Sequence, residues 1–288
     1  MDNILELHQV CKTFPRTNFT LDHVSFSIPY GSIMGFVGEN GAGKTTTIGC
    51  VLNTVSKDSG TIKIFGKELA DTDTELKEKI GVVYDGDNFP AYWTAEQLSD
   101  VMQGLYANWD NDLFKKYLND FRLLPNQKIK SYSRGMTMKL AVAAALSHHP
   151  QLLILDEATS GLDPIMRDDM LDVFLEFVQD ENHSILLSSH ITSDLEKIAD
   201  YITFIHNGKL IMAASKNDLV YNFAVMRCKE SQFLELDPGD ILAYRKRDYQ
   251  IDVLVSNGNE IQRKYRNAVI DHVSVDEIML LLVKGERV

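Results

Sequence analysis

Cysteine is scarce in this chain of 288 residues: Cys11, Cys50 and Cys228 are all there is. An odd number at wide spacing, with no metal-binding pair, excludes a disulfide framework and points to a reducing compartment. Long apolar runs are missing too. None approaches the roughly twenty residues that cross a bilayer, and no signal-peptide pattern opens the chain. The expectation is a soluble protein, so any work at a membrane requires a partner that supplies the span. Positive charge is in deficit, with 29 Lys+Arg against 41 Asp+Glu and a formal net charge of −12. A phosphate-backbone ligand such as DNA or RNA wants a basic face, so no nucleic-acid partner is expected. Internal repeats and low-complexity tracts are absent.

What is present begins with a hydrophobic content of 44%, suited to a packed core, and a length that allows one large domain and one small one. The stretch GENGAGKTTT, Gly38 to Thr47, follows the apolar run IMGFV and precedes IGCVL. Gly38, Gly43, Lys44 and Thr45 fit the phosphate-loop pattern of glycine, four residues, then Gly-Lys-Ser/Thr. Glycines let successive N–H groups point into one concavity, and the helix that follows adds its positive end. Lys44 can then reach terminal phosphates, and the Thr45 hydroxyl can ligate magnesium. A Gly-rich strand-to-helix turn that binds nothing is the competing reading, opposed by the lysine, the threonine and the flanks together.

The segments NILELHQVCKTF and LDHVSFSI alternate as half-buried antiparallel strands do, and GTIKIFG continues that pattern. Thr94 to Leu124 reads as helical, opened by a Thr94/Gln97 capping box. Another helix follows Gly135. LLILD (Leu152 to Asp156) and SILLSS are short apolar strands, Pro164 to Gln179 and Ile191 to Ala199 are helices, and YITFIHNGKLIMAA is a hairpin turning at Asn207-Gly208.

LLILDEATSGLDP carries the second constellation. A buried strand ending in Asp156 puts a carboxylate at the carboxyl end of the sheet, where it can hold magnesium. Glu157 beside it can act as general base toward an attacking water. Capping and solvation are the plainer readings, and Asp163 before Pro164 makes a good helix N-cap.

These residues resemble one family, the ATP-binding subunits of ABC transporters, over about Asn3 to Ser215. Gly38–Thr46 is similar to the Walker A loop, including Asn40, Gly41, Ala42, Gly43, Lys44, Thr45 and Thr46. Leu152–Asp156 with Glu157 resembles Walker B and its catalytic glutamate, Ser160–Asp163 the D-loop, and His190 the switch histidine. YSRGM (Tyr132–Met136) stands where the signature LSGGQ belongs, keeping Ser133 and Gly135 but carrying Arg134 and Met136. Signatures of this kind resemble the exporter branch for drugs, peptide antibiotics and lipids. Phe14 occupies the place of the adenine-stacking aromatic, or is a strand-edge core residue. The Q-loop position falls on Asp85, a metal ligand or a turn residue.

The resemblance implies an α/β phosphate-loop NTPase of the ABC ATPase type: a mixed core sheet, an antiparallel β subdomain and a helical subdomain at about 90–150. That domain would span residues 1–216, with a small α+β accessory domain at 217–288. The implied cofactors are ATP and Mg2+, the metal being held by Thr45, Asp85 and Asp156. Implied catalytic residues are Glu157, His190 and Lys44. Nucleotide contacts fall to Phe14, the Walker A residues, Asp163, Ser133 and Gly135, the last two acting across a homodimer or a heterodimer with a related ATPase. A separate transmembrane permease would place the protein in the cytoplasm at the inner face of the cell membrane. Two other classes are a soluble ABC-type ATPase acting on nucleic acid or ribosomes, and a nucleotide-binding regulator without turnover. The first lacks its usual coiled-coil inserts, zinc motifs or second ATPase module. The second is opposed by Glu157 and His190.

In the tail, YQIDVLVSNGNEIQRKY reads as a hairpin at Asn257-Gly258, and SVDEIMLLLV as a last helix capped by Ser274 and Glu277. The clusters Arg245–Arg247 and Arg263–Arg266 read as solvated strand faces. The apolar face of the last helix, Ile278, Leu281 and Leu282, is expected to seek a partner.

Overall fold

The computed structural model describes residues 2–70, 72–86 and 88–287. An antiparallel sheet comes first: β1 (Asn3–Phe14), β2 (Phe19–Pro29) and β4 (Ser59–Ile64), in the order β2-β1-β4. The main sheet collects β3 (Ile33–Val37), β5 (Ile80–Val83), β6 (Leu152–Asp156), β7 (Ser184–Ser189), β8 (Tyr201–His206) and β9 (Lys209–Ser215). Its order is β5-β6-β7-β3-β8-β9, parallel except for β9. All residues of β3, β6 and β7 are buried, as expected of parallel strands covered on both faces. The β8–β9 hairpin turns at Asn207 (φ 48°) and Gly208 (φ 75°), the left-handed pair that a two-residue turn demands.

Helix α1 (Lys44–Val51) leaves the phosphate loop, and α2 (Thr74–Glu78) precedes β5. The stretch that reads as continuously helical resolves into α3 (Ala95–Leu105) and α4 (Asn111–Asp120). Thr94 and Gln97 cap each other at the start of α3, while Asp110 ends the intervening turn by accepting from Asp112 N and Leu113 N. Helix α5 (Arg134–Leu146) is buried along most of its length, because KLAVAAAL is apolar on every side but one. Helices α6 (Pro164–Phe177) and α7 (Thr192–Ile198) follow.

The tail departs from its sequence reading. It contains α8 (Lys216–Asn222), β10 (Phe223–Cys228), α9 (Glu230–Phe233), β11 (Ala243–Lys246), β12 (Ile251–Ser256), α10 (Gly258–Lys264), β13 (Val269–His272) and α11 (Val275–Lys284). The strands form an antiparallel sheet ordered β11-β12-β10-β13. Asn257-Gly258 is no hairpin: Asn257 (φ 52°) starts α10 instead. NEIQRK holds one apolar residue, Ile261, which one helical turn buries, and β12 already pairs with β10 and β11 on its two edges. The hairpin belongs one strand earlier, between β11 and β12. Arg263 and Lys264 therefore lie in the last turn of a helix rather than on a strand face.

Helix α11 also differs from expectation, because its apolar face is covered from within the chain. Ile278 and Leu281 are buried in the same cluster as Leu195, Ile198, Ile202 and Phe204, and Leu282 packs against it. Polar ties flank that contact: Val275 N donates to Glu196 Oε1 at 2.5 Å, and Lys284 Nζ lies 3.4 Å from Glu39 Oε1 in the phosphate loop. Burying one such side chain stabilises by about 1.5–3 kcal/mol, so the tail is a structural wall of the main sheet.

This packing can be tested by truncation. A chain ending at Ser215 should melt lower by roughly 5–10 °C, taking a loss of about 3 kcal/mol, and should bind a hydrophobic dye that the full chain excludes. An unchanged melting curve would show that the α11 contact contributes nothing. A pH dependence is expected from His148, which is buried, stacked 4.1 Å from Tyr106, and hydrogen-bonded through Nδ1 to Glu78 O at 3.0 Å. Desolvation lowers its pKa below the ordinary value, and the Glu78 carbonyl opposes this only in part. The unfolded chain thus binds the proton more readily, so this contribution is full above pH ~6.5 and is lost as pH falls below it. Denaturant midpoints should drop between pH 7.5 and 5, and His148→Gln should flatten the drop.

Candidate functional site

The loop after β3 curls because its glycines allow it. Gly43 adopts φ 116°, and a Cβ on Gly38 would lie 2.6 Å from the Ile205 carbonyl oxygen. The cleft it borders has a volume of about 710 Å³, within the usual range for a small-molecule site. Asn40, Gly41, Gly43, Lys44, Thr45 and Thr46 line it, facing Asp85, Asp156 and Glu157. Gly38 and Ala42 are buried beneath the loop rather than exposed to the cleft.

Lys44 is only 4% exposed. Its Nζ donates to the carbonyl oxygens of Gly38 (2.7 Å) and Glu39 (3.3 Å) and lies 3.0 Å from Glu157 Oε1. That last contact is an ion pair without hydrogen-bond alignment, since Oε1 has no aligned donor among the described residues. The other carboxylate oxygen, Oε2, sits 2.6 Å from His190 Nδ1. Glu157 holds a left-handed backbone (φ 54°), which costs a non-glycine residue about 1–3 kcal/mol and clusters at functional sites. The strained turn faces this carboxylate toward both a lysine and a histidine.

Beside it, Asp156 is 4% exposed and doubly held: Oδ2 accepts from Thr45 Oγ1 (2.8 Å) and Oδ1 from Ser188 Oγ (2.5 Å). A hydroxyl and a carboxylate oxygen at this separation form the hard-oxygen set that magnesium prefers. Ser188, which no sequence motif marks, also accepts from Glu157 N at 3.2 Å. Its one signal in the sequence is the paired serine closing an otherwise apolar strand.

Asp85 lines the cleft, but its Oδ1 accepts from Arg134 Nη2 at 2.7 Å. Both side chains are about half exposed, which limits such a pair to ~0–1 kcal/mol of stability. Phe14 lies on the cleft wall with Phe19, ring centroids 6.4 Å apart. Phe19 is likewise unmarked by any motif, although it stands opposite Phe14 in the β1–β2 pairing.

Ser133, Gly135 and Asp163 do not line this cleft. Ser133 Oγ caps α5 by accepting from Met136 N, Gly135 is buried against Met166, and Asp163 caps α6 by accepting from Ile165 N and Met166 N. One chain therefore assembles the phosphate loop, the carboxylates and the histidine, and leaves the signature turn outside.

Residues 21–160 match the family model described as ABC transporter. The chain is 36% identical over 194 residues to the bacitracin transport ATP-binding protein BcrA of Bacillus licheniformis, a match covering 67% of this chain and 63% of that protein. It is 33% identical over 213 residues to the lantibiotic transport ATP-binding protein SrtF of Streptococcus pyogenes, covering 73% and 90%. Among solved structures, an ATP-binding subunit of an ABC transporter superposes with a TM-score of 0.68 at 26% identity, over 75% of this chain and 91% of that one. Fold, site and relatives agree, and the chain belongs to the ATP-binding proteins of the ABC transporter family.

Proposed function

We propose that this chain is the ATP-hydrolysing subunit of a membrane exporter, working as a pair of ATPase subunits against a separate permease at the cytoplasmic face of the membrane. The observation that carries the reading is Glu157, whose carboxylate sits between Lys44 Nζ at 3.0 Å and His190 Nδ1 at 2.6 Å in the phosphate-loop cleft. Among the described residues no helix is long and apolar enough to cross a membrane, so a transport role needs a partner that is. Relatives named for bacitracin and lantibiotic transport support export of peptide antibiotics or comparable amphiphiles. The net charge of −12 speaks against the nucleic-acid or ribosome alternative.

The chemistry follows from the contacts. Triphosphate oxygens entering the loop compete with Glu157 for Lys44, and the backbone N–H groups at the head of α1 add to the attraction. Once Lys44 turns to phosphate, Glu157 is free to take a proton from a water aimed at the γ-phosphorus. His190 orients that carboxylate and contributes a donor toward the γ-phosphate. Thr45 and Asp156 would hold a magnesium ion, which would neutralise phosphate charge when bound. Ser133 and Gly135, outside the chain's own cleft, would close over the nucleotide of the partner chain, so ATP joins the two and hydrolysis releases them.

Glu157→Gln should cut hydrolysis by roughly 10²–10⁴-fold, the worth of a general base, while keeping ATP binding and trapping an ATP-dependent dimer. Lys44→Ala should instead weaken nucleotide binding at least about tenfold, as loss of a charged hydrogen-bond donor implies. Turnover by Glu157→Gln near that of the parent would remove the general-base assignment. The paired arrangement has its own check. Ser133→Asp keeps an N-cap but sets a negative charge against the partner's phosphates. Neither Ser133→Asp nor Lys44→Ala chains should turn over alone, while mixed heterodimers should regain activity at one interface. Heterodimers that form yet stay inactive would count against composite sites.

A further inference from the structure

Asp85 and Arg134 are the two charged positions among those where the chain departs from the family's Q-loop and signature patterns, and the structure brings them together. Forty-nine residues apart in sequence, they meet at 2.7 Å between Arg134 Nη2 and Asp85 Oδ1. Each accounts for the other. Arg134 is the first residue of α5, where a cation faces the positive end of the helix dipole, and no acidic residue stands in that turn to offset it. Asp85 supplies the missing negative charge from another element. It is presented by a clipped turn: Asn88 Oδ1 accepts from Tyr84 N, and Asn88 Nδ2 donates to the carbonyl oxygens of Tyr84 and Gly86.

A third segment closes around the same guanidinium. Gly161, in SGLD, has φ 71°, and a Cβ there would lie 2.8 Å from Arg134 Cζ and Nη1. The bare backbone leaves the room that the planar group fills. One side chain thus touches the loop at the rim of the chain's own cleft, the turn that opens α5, and the turn before α6. Asp85 lines that cleft, whereas Ser133 and Gly135 do not. The guanidinium is the short connection between the two.

We propose that Arg134 is a positioning residue that couples the two nucleotide sites of the assembled pair. It holds Asp85, which lines the chain's own nucleotide cleft, in fixed register with the signature turn offered to the partner's nucleotide. This rests on the paired reading given above. Asp85 acts here through Arg134 rather than as a lone ligand, and a displacement of its carboxylate when the negatively charged nucleotide fills the cleft is passed through the guanidinium to the head of α5. Exposure of 53% and 47% for the two side chains means that the pair serves geometry rather than folding, so its loss should leave the melting temperature in place.

The test is a double-mutant cycle in the full-length chain carrying Glu157→Gln, with ATP-driven dimerisation read by light scattering and single-chain affinity read with a fluorescent ATP analogue. Arg134→Gln should raise the ATP concentration needed for dimerisation by about tenfold, a usual size for coupling between sites, with single-chain affinity changed less than about threefold. Asp85→Asn should weaken assembly similarly, and the double variant should be no worse than the poorer single one, as members of one interaction behave. Arg134→Lys should recover part of the loss, since it restores the hydrogen bond to Asp85 but not the planar group beside Gly161. Multiplying effects in the double variant, normal assembly by Arg134→Gln, or failure of Arg134→Lys to recover would each overturn the proposal. A Glu157→Gln parent that binds the analogue but never dimerises would instead overturn the paired reading beneath it, and this inference with it.

Discussion

The structure depends on one strand being in the right slot. The phosphate loop leaves β3 and the carboxylates end β6, but these strands are not neighbours: β7 lies between them in the sheet. That insertion sets the phosphate loop and the carboxylates on either side of β7, where Thr45 still reaches Asp156 at 2.8 Å and Lys44 reaches Glu157 at 3.0 Å, and β7 itself supplies what joins them. Ser188 fastens Asp156 and the Glu157 amide, and the residue after the strand, His190, meets the Glu157 carboxylate. Buried charges are tolerable only when paired and hydrogen-bonded, and here Asp156 is held from α1 and β7 while Lys44 is held by its own loop and by Glu157. A one-residue slip of β7 that brought Leu187 to the place of Ser188 would leave Asp156 with Thr45 alone.

Much of this is legible in the amino-acid sequence. Gly38, Gly43, Lys44 and Thr45 specify a phosphate loop because each residue type has one physical use at its spacing. LLILD can be placed because a wholly apolar strand ending in a carboxylate suits few other roles. Phe19 and Ser188 are not legible, since their roles come from pairing partners far away in sequence: Phe14 across the β1–β2 pairing and Asp156 across the main sheet. Asn257-Gly258 misleads for the opposite reason. The dipeptide allows a tight turn equally well as a helix start, and the choice falls to β10 and β11, which already occupy both edges of β12.

The tail shows how a local pattern misjudges a surface. Ile278, Leu281 and Leu282 form an apolar stripe at helical spacing, and a stripe says that something covers it without saying what. In this chain the cover is α7 on one side and β11 and β12 of the tail's own sheet on the other, reached by folding the last helix back between them. The same docking sets Lys284 beside Glu39, one residue past the first glycine of the phosphate loop. Since Lys44 also leans on the Glu39 carbonyl, the last helix and the phosphate-loop lysine share a neighbour.

Arg134 and Asp85 extend the same point to the site. Taken separately, a cation at a helix head is a small electrostatic error and an aspartate in the Q-loop is a ligand one methylene short. Contact turns both to advantage, because the carboxylate neutralises the helix head and the guanidinium fixes the carboxylate. Gly161 makes the arrangement a three-body one, and any larger residue there would displace the guanidinium from its place between the loops. Departures that look like decay in a linear motif are, in this fold, a matched set on three segments. Where two motif positions deviate with opposite charge, the distance between them is therefore a better guide to function than either deviation alone.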